Sequence, residues 1–249
     1  MTASPLLSVF LPLALGIIML GLGLSLTLAD FARVVKYPKP VLIGLFCQLL
    51  LLPLACFFMV QAFGLAPALA VGMMLLAASP GGTSANLYSH LAHGDVALNI
   101  TLTAVNSVVA VLTMPFIVNL SLAYFMEGDQ AIPLQFTKVL QVFAIVLGPV
   151  AIGMFLRSRF PGFALRMENP VKIISALFLL LIIILALVKD WQTVLDYAPV
   201  VGAAALAFNL LSLAVGYLVP RLLKLSLRQA IAIGMEIGIH NGTLAIALA

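Results

Sequence analysis

Charged side chains are scarce in this sequence: they make up 8% of its 249 residues, whereas hydrophobic residues make up 64%. A soluble globular domain has roughly 25% charged and 45–50% apolar residues. So few charges exclude an ordinary water-soluble domain, because its surface would lack polar groups. The composition therefore predicts that lipid surrounds most of the chain.

Cysteine and catalytic motifs are also scarce. The two cysteines, Cys47 and Cys56, lie in one apolar run and form neither a disulfide framework nor a zinc-binding spacing. The sequence has no His-Glu-x-x-His motif, no Gly-x-Ser-x-Gly motif, no pair of aspartates within an apolar run and no nucleotide-binding loop. These absences predict a protein that is not an enzyme and does not drive transport with ATP within this chain.

Apolar runs long enough to cross a bilayer fill the sequence instead. A spanning helix needs about 20 apolar residues. The runs that meet or approach this length, the last one cut by the end of the sequence, are 5–29, 41–64, 67–92, 96–124, 132–156, 171–188, 197–219 and 229–249. They predict an all-α polytopic membrane protein with a single transmembrane domain over residues 1–249, and we expect no cleavable signal peptide before the first run.

The basic residues report how the chain crosses the membrane. Ten of the twelve lysines and arginines fall in three short loops, at 30–40, 157–172 and 220–228. Such residues concentrate in cytoplasmic loops, and simple alternation of eight spans puts all three loops on one side. The net charge of +4 therefore indicates topology rather than a nucleic-acid partner, and it predicts an extracytoplasmic N-terminus.

Two of the runs contain residues that break helices. The third holds Pro80–Asn86, with the sequence PGGTSAN, and the eighth holds Glu236–Gly242, with the sequence EIGIHNG. Proline removes a backbone donor, and glycine adopts conformations that other residues avoid. Backbone groups freed at membrane depth must face protein or a watery cavity. A pair of interrupted segments therefore indicates the binding site of a transporter.

Glu236 is a carboxylate near the centre of a predicted spanning helix, where it costs roughly 2.5–3.5 kcal/mol. The nearest basic residue on its own run is Arg228, eight positions earlier. A cation ligand or proton carrier is one interpretation, and a protonated or hydrogen-bonded structural residue is another. A membrane enzyme that uses Glu236 and His240, four positions apart, is a third, although no nucleophile or metal set accompanies them.

Other runs contribute polar side chains whose roles stay open. Asn99 and Thr103 lie four positions apart on one face of the fourth run, and Gln48 is an amide inside the second. Their oxygens suit a hard cation, and they suit hydrogen bonds between helices equally well. Asp95 is predicted to cap the helix of the fourth run.

Together these motifs resemble one family. PGGTSAN at 80–86, HGDVAL at 93–98 and EIGIHN at 236–241 are similar to motifs of the bile acid:sodium symporters. The resemblance runs in order and spacing from about residue 12 to the end. It implies ten helices in two inverted repeats, with a panel domain, a core domain and two broken helices that cross at the solute site.

The resemblance assigns the runs to these parts. Residues 5–29 and 132–188 are expected to be panel-type helices, and 41–124 and 197–249 core-type helices, with the third and eighth runs as the crossing helices. The family's first helix, the rest of the second crossing helix and the last helix are not found in these residues. We therefore expect an inverted-repeat transporter fold that is incomplete at both ends.

The resemblance also implies the binding residues, which are polar atoms near the two breaks. The residues of the first sodium site are Glu236, Asn86, Asn99 and Thr103. The residues of the second are Glu236, Gln48, His240 and the backbone oxygens of Ile237 and Ile239. The residues that face the solute are Thr83, Asn86 and Asn241. Two positions depart from the family, because Ala85 stands where bacterial members often have serine and His240 where they often have glutamine.

The sequence thus predicts sodium-coupled symport of an organic anion, such as a bile acid or a small carboxylate, across a bacterial inner (plasma) membrane. Sodium ions are transported rather than kept as a prosthetic group. The expected partners are the anion and the lipid bilayer, with no nucleic acid and no obligate protein partner. The alternatives are a proton-coupled carrier of the same fold, such as an auxin-efflux-like protein, and a shortened chain that does not transport.

Overall fold

The computed structural model describes residues 5–126, 136–189, 191–242 and 244–245, and within them every regular element is a helix. The α-helices in chain order are α1 (Pro5–Ser25), α2 (Leu28–Ala32), α3 (Pro38–Phe46), α4 (Leu52–Ala62), α5 (Pro67–Ala78), α6 (Thr83–Leu91), α7 (Val96–Phe125), α8 (Phe136–Arg159), α9 (Pro161–Lys189), α10 (Trp191–Leu222) and α11 (Leu227–Gly238). A 3₁₀ turn at Arg33–Val35 follows α2, and a π-helical turn at Cys47–Leu51 joins α3 to α4.

Several of these helices have the length and composition of membrane spans. Among the described residues, Pro38–Ala62 and Val194–Leu222 are each long and apolar enough to cross a bilayer. Two bent pairs also qualify if each pair is one span: Leu15–Ser25 with Leu28–Val35, and Val96–Ala110 with Leu112–Phe125. An all-α polytopic membrane protein is thereby confirmed, and the number of eight spans stays a prediction.

The sequence predicts a loop at 157–172, and this prediction is wrong. α8 continues to Arg159 and α9 begins at Pro161, so that helix resumes almost at once. Proline suits the first turn of a helix, where its missing N–H would have no partner within the helix. Arg157 Nη1 and Glu168 Oε2 lie 3.9 Å apart across this junction. The four basic residues of this stretch therefore lie on helices, with Arg157 and Arg159 in the last turn of α8 and Arg166 and Lys172 on α9.

The chain divides into two compact units, and each is described by itself. The described residues of the first unit are 5–28, 136–189 and 191–197, where α1 packs against α8 and α9. Those of the second are 29–126, 198–242 and 244–245, where α7 packs against α5, α6 and α11. The panel-type and core-type assignment stays a prediction.

In the first unit α1 and α8 approach each other closely at a glycine. A Cβ atom on Gly153 would lie 2.6 Å from the carbonyl oxygen of Leu20 and 2.7 Å from the backbone nitrogen of Leu24. Both neighbours are backbone atoms of α1, which cannot rotate away as a side-chain end can. Only glycine therefore permits this spacing of the two helices.

We expect Gly153→Ala to destabilise the protein by about 1–3 kcal/mol, since the added methyl group overpacks the α1–α8 contact. Gly202→Ala on α10 is the matched control, because no described atom outside its own stretch of helix lies within 4 Å of its Cβ position. Alanine there should stabilise the helix by about 0.5–1 kcal/mol. Thermal unfolding in detergent checks both variants, and a Gly153→Ala melting temperature at or above that of Gly202→Ala would contradict the close approach.

In the second unit the two interrupted runs are broken and their breaks are paired. α5 ends at Ala78 before α6 begins at Thr83, and α11 ends at Gly238. Gly81 and His240 form an isolated antiparallel bridge. The Asn241 N–H donates to the Pro80 carbonyl at 2.8 Å. Backbone groups released by each break are therefore satisfied by the other, as burial requires.

A buried apolar cluster lies around this pairing. Its fully buried side chains include Leu98 and Leu102 of α7, Phe208 of α10, and Ile233 and Ile237 of α11. All are completely buried. This packing fixes the ends of α11 and the facing surface of α7, which carry the polar groups of the candidate site.

Candidate functional site

One face of α7 presents buried polar side chains to α11. The helix starts as predicted, because Asp95 caps it by accepting a hydrogen bond from the Leu98 N–H at 3.1 Å. Asn99, Thr103 and Asn106 follow on one face, and each has 0% of its surface exposed. Three neutral amide or hydroxyl groups at helical spacing therefore lie out of contact with solvent.

Glu236 is the buried carboxylate that meets this face. It is also 0% exposed. Thr103 Oγ1 donates to its Oε2 at 2.6 Å, and Asn106 Nδ2 donates to its Oε1 at 3.4 Å. The main chain of Gly81 interacts with it as well. Within the described residues no lysine or arginine forms an ion pair with Glu236, so neutral donors alone hold it.

The expected place of Glu236 needs a correction. The sequence predicts it near the centre of a helix, but it lies in the last turn of α11, which ends at Gly238. The helix stops because the next residues leave it: Ile239 has φ −108° and ψ 81°, and His240 pairs with Gly81. The carboxylate therefore lies beside the break, within the interrupted stretch Glu236–Gly242 that the sequence indicates.

The Thr103 hydroxyl has one proton and several acceptors around it. Glu236 Oε2 is at 2.6 Å, the Asn99 carbonyl oxygen at 3.1 Å and Asn86 Oδ1 at 3.5 Å. One hydroxyl proton serves only one strong hydrogen bond, and the shortest contact takes it. Three acceptor oxygens thus lie around a single hydroxyl proton, an arrangement that favours an additional cation.

Two buried amide side chains in this region donate their N–H groups to backbone carbonyl oxygens. Asn99 Nδ2 donates to the Ala232 carbonyl at 2.7 Å. Gln48 Nε2 donates to the carbonyls of Ala77 at 3.2 Å and Ser79 at 3.0 Å. These partners fix which end of each amide is oxygen. The oxygens of Asn99, Asn106 and Gln48 are buried and have no hydrogen-bond partner among the described residues.

A local irregularity positions Gln48. It lies in the π-helical turn at Cys47–Leu51, one residue before the turn's centre. Pro53 follows in the first turn of α4 and has no N–H for a helical bond. A π-helical turn accommodates the missing donor and is frequent at functional sites. Gln48 is thereby directed to the carbonyls that precede the Pro80 break.

The second break is held by α10. Phe208 stacks on the His240 ring with centroids 5.0 Å apart and planes at 13°. Asn209 Nδ2 donates to the Gly238 carbonyl at 2.8 Å, and Ser212 Oγ lies 3.2 Å from His240 Nε2. Sequence reasoning missed these three α10 residues. Ser212 lies four positions after Phe208 and three after Asn209, and this spacing is the signal that it shares a helix face with both.

The residues expected to face the solute lie at the start of two helical segments. Thr83 is the first residue of α6, and its side chain lies outside the described part of the structure. Asn86 is half-buried on the same helix. Asn241 Oδ1 accepts from the Leu244 N–H at 3.0 Å, which leaves its amide N–H groups to other partners. The N-cap residue of α6 is Gly82, which has no side chain that could cap the helix.

The structure thus gathers most of the predicted residues into two groups. Asn86, Asn99 and Thr103 meet Glu236 directly or through Thr103. The other group follows Glu236 in the chain and consists of Ile237, Ile239 and His240. Gln48 donates to none of these residues. It is linked to His240 only through Ser79, whose main chain interacts with both side chains. The described residues contain no cluster of three or more histidine, cysteine or acidic side chains, so any cation here would depend on neutral oxygens and one carboxylate.

Comparison with known proteins gives the family of this chain. The model of the sodium bile acid symporter family matches residues 12–196. The chain belongs to this family. The resemblance that the motifs at the two breaks indicate is therefore confirmed.

Curated relatives of this family member align with nearly all of it. It is similar to the uncharacterized sodium-dependent transporter YocS of Bacillus subtilis (strain 168), with 27% identity over 98% of this chain and 74% of that protein. The human P3 protein is 29% identical over 98% of this chain and 51% of its own length. The human ileal sodium/bile acid cotransporter is 27% identical over 96% of this chain and 68% of its own length. The chain thus spans between half and three quarters of these relatives.

Proposed function

We propose that this chain carries the ion- and solute-binding part of a sodium-coupled symporter for an organic anion. The observation that carries the proposal is Glu236, a fully buried carboxylate held only by neutral donors, beside two paired helix breaks. A buried charge without a partner is unfavourable. A cation bound beside Glu236 would remove this free-energy cost, and binding of that cation would therefore depend on the carboxylate.

The unpartnered oxygens support sodium as that cation. We propose that Asn86, Asn99, Thr103 and Glu236 form the first sodium site. We propose that Gln48, His240, Glu236 and the backbone oxygens of Ile237 and Ile239 form the second. An unsatisfied buried acceptor costs about 1–3 kcal/mol, and hard cations prefer oxygen ligands. Sodium would satisfy the acceptors that the fold leaves without a donor.

The helix start at the first break supports an anionic solute. The N-cap residue of α6, Gly82, has no side chain that could cap the first N–H groups, and the N-terminus of a helix carries a partial positive charge. With an ionised Glu236, a monoanion and two sodium ions, the site would be neutral, whereas with one sodium ion it would carry one negative charge. The proposed coupling is therefore two sodium ions per monoanion, with the solute contacting Thr83, Asn86 and Asn241.

The names of two similar proteins describe sodium-dependent transport by those proteins: one is called a sodium-dependent transporter and the other a sodium/bile acid cotransporter. We extend this to the chain as a proposal, together with a bacterial inner-membrane location and an extracytoplasmic N-terminus. The placement of ten basic residues in 30–40, 157–172 and 220–228 supports that orientation.

Uptake by proteoliposomes tests the proposal. The purified chain would be reconstituted and supplied with taurocholate or with pyruvate, each under an inward sodium gradient and under a matched potassium gradient. We expect accumulation of at least one probe only with sodium. Uptake driven by a proton gradient and indifferent to sodium would instead identify a proton-coupled carrier. Absence of uptake together with absence of sodium binding would contradict the proposal.

A further inference from the structure

The α10 face formed by Phe208, Asn209 and Ser212 holds the second break through three different contacts. Phe208 covers one side of the His240 ring, Asn209 binds the last carbonyl of α11, and Ser212 contacts His240 Nε2. All four polar or aromatic groups belong to the second unit. The ring plane and the position of His240 are therefore fixed by α10.

The Ser212 hydroxyl also determines which nitrogen of His240 carries the proton. Ser212 Oγ lies 2.8 Å from the Phe208 carbonyl oxygen, to which it donates its only proton. Its oxygen is then an acceptor, so the contact of 3.2 Å with His240 requires an N–H at Nε2. In a neutral imidazole the other nitrogen, Nδ1, then carries a lone pair.

The surroundings of Nδ1 are unfavourable for a lone pair unless a cation is present. Nδ1 is buried and has no hydrogen-bond partner among the described residues. A buried acceptor without a donor costs about 1–3 kcal/mol, and a cation bound at Nδ1 would remove this cost.

We propose that Ser212 is a positioning residue that fixes His240 in its Nε2–H tautomer and so directs the Nδ1 lone pair to the cation of the second sodium site. This inference rests on the proposed function. In the opposite tautomer Ser212 would have to turn its proton from the Phe208 carbonyl to Nε2. Sodium binding and the Ser212 hydrogen bond thus favour the same tautomer.

The first test measures apparent sodium affinity by thermal stabilisation of the full chain in detergent. We expect Ser212→Ala to weaken it roughly five- to tenfold, the effect of losing one hydrogen bond to a buried group. Ser121→Ala is the matched control, because Ser121 is also buried on a helix and donates to a carbonyl four residues earlier, that of Ile117. In a His240→Gln background, Ser212→Ala should have no further effect, since glutamine has no tautomer to fix.

The second test observes the tautomer itself. The chain has three histidines, and the ¹⁵N resonances of His240 are identified by their loss in His240→Gln. With sodium, we expect a protonated Nε2 and an unprotonated Nδ1. A protonated Nδ1 in saturating sodium, or an unchanged sodium affinity in Ser212→Ala, overturns this inference. The proposed function still stands in that case if sodium binding depends on Glu236. A wild-type chain that sodium does not stabilise at all overturns both.

Discussion

Replacing Glu236 by glutamine is expected to abolish sodium-dependent stabilisation of the protein. The substitution keeps the shape of the side chain and removes the negative charge that would face the cations. Two unit charges about 4 Å apart interact by about 4 kcal/mol at an effective dielectric constant near 20, which corresponds to roughly a thousandfold in affinity. The new amide N–H groups would also face the Thr103 hydroxyl or the Asn106 amide, which now donate to the carboxylate.

The measurement is the shift in melting temperature between sodium and potassium chloride at equal ionic strength. Glu168→Gln is the matched control, because Glu168 is a carboxylate of the first unit that pairs with Arg157. It should keep the sodium-dependent shift of the wild type. If Glu236→Gln keeps it too, Glu236 is a structural residue, and the proposed sodium sites are wrong.

The parts of the site that the sequence predicted depend on local chemistry. The first break can be predicted from the sequence alone, because a helix that continued through Pro80, Gly81 and Gly82 would lose stability. Glu236 is recognisable because a carboxylate in an apolar run has few structural explanations. Asn99 and Thr103 share a face at a spacing of four, and the structure puts that face against α11.

The parts that the sequence did not predict depend on which helices meet. Asn106 lies seven residues after Asn99 and three after Thr103, so the helical spacing alone places it on the same face of α7. Its contact with Glu236 could not be predicted in this way, because it joins positions 130 apart in the sequence. Ser212 gives no signal of its own, because a serine in an apolar helix usually bonds to its own backbone. Only the approach of α10 to the second break reveals its contact with His240.

Helix ends were the other feature beyond sequence reasoning. The run 229–249 has no residue that would end a helix at Gly238 rather than at Gly242. The end is determined by the pairing of His240 with Gly81 and of Asn241 with Pro80, which are contacts between distant parts of the chain. The same pairing brings Glu236 beside the break and makes the backbone at Gly81 part of the site.

Gly81→Ala is therefore expected to have the second large effect, a loss of sodium-dependent stabilisation of tenfold or more in apparent affinity. A Cβ atom on Gly81 would lie 2.5 Å from Cδ and 2.6 Å from Oε1 of Glu236, and it would also overlap with the Glu236 carbonyl. Overpacking of this kind typically costs about 1–3 kcal/mol. The Glu236 carboxylate cannot retreat without leaving the Thr103 hydroxyl, which donates to it at 2.6 Å.

The neighbouring Gly82 supplies the matched control, because a Cβ atom there would be no closer than 3.6 Å to any described atom beyond its two chain neighbours, the nearest being Ser84 Oγ. Gly82 also has an ordinary extended backbone, with φ −109° and ψ 178°, which alanine adopts without strain. Gly82→Ala should therefore keep sodium-dependent stabilisation within about twofold of the wild type, since it adds only an ordinary van der Waals contact. Both variants are compared without solute, so that a change in solute contacts does not enter. Equal sodium affinities in the two variants would show that the carboxylate is free to move away from Gly81, and that the close approach of the two breaks does not position Glu236 for a cation.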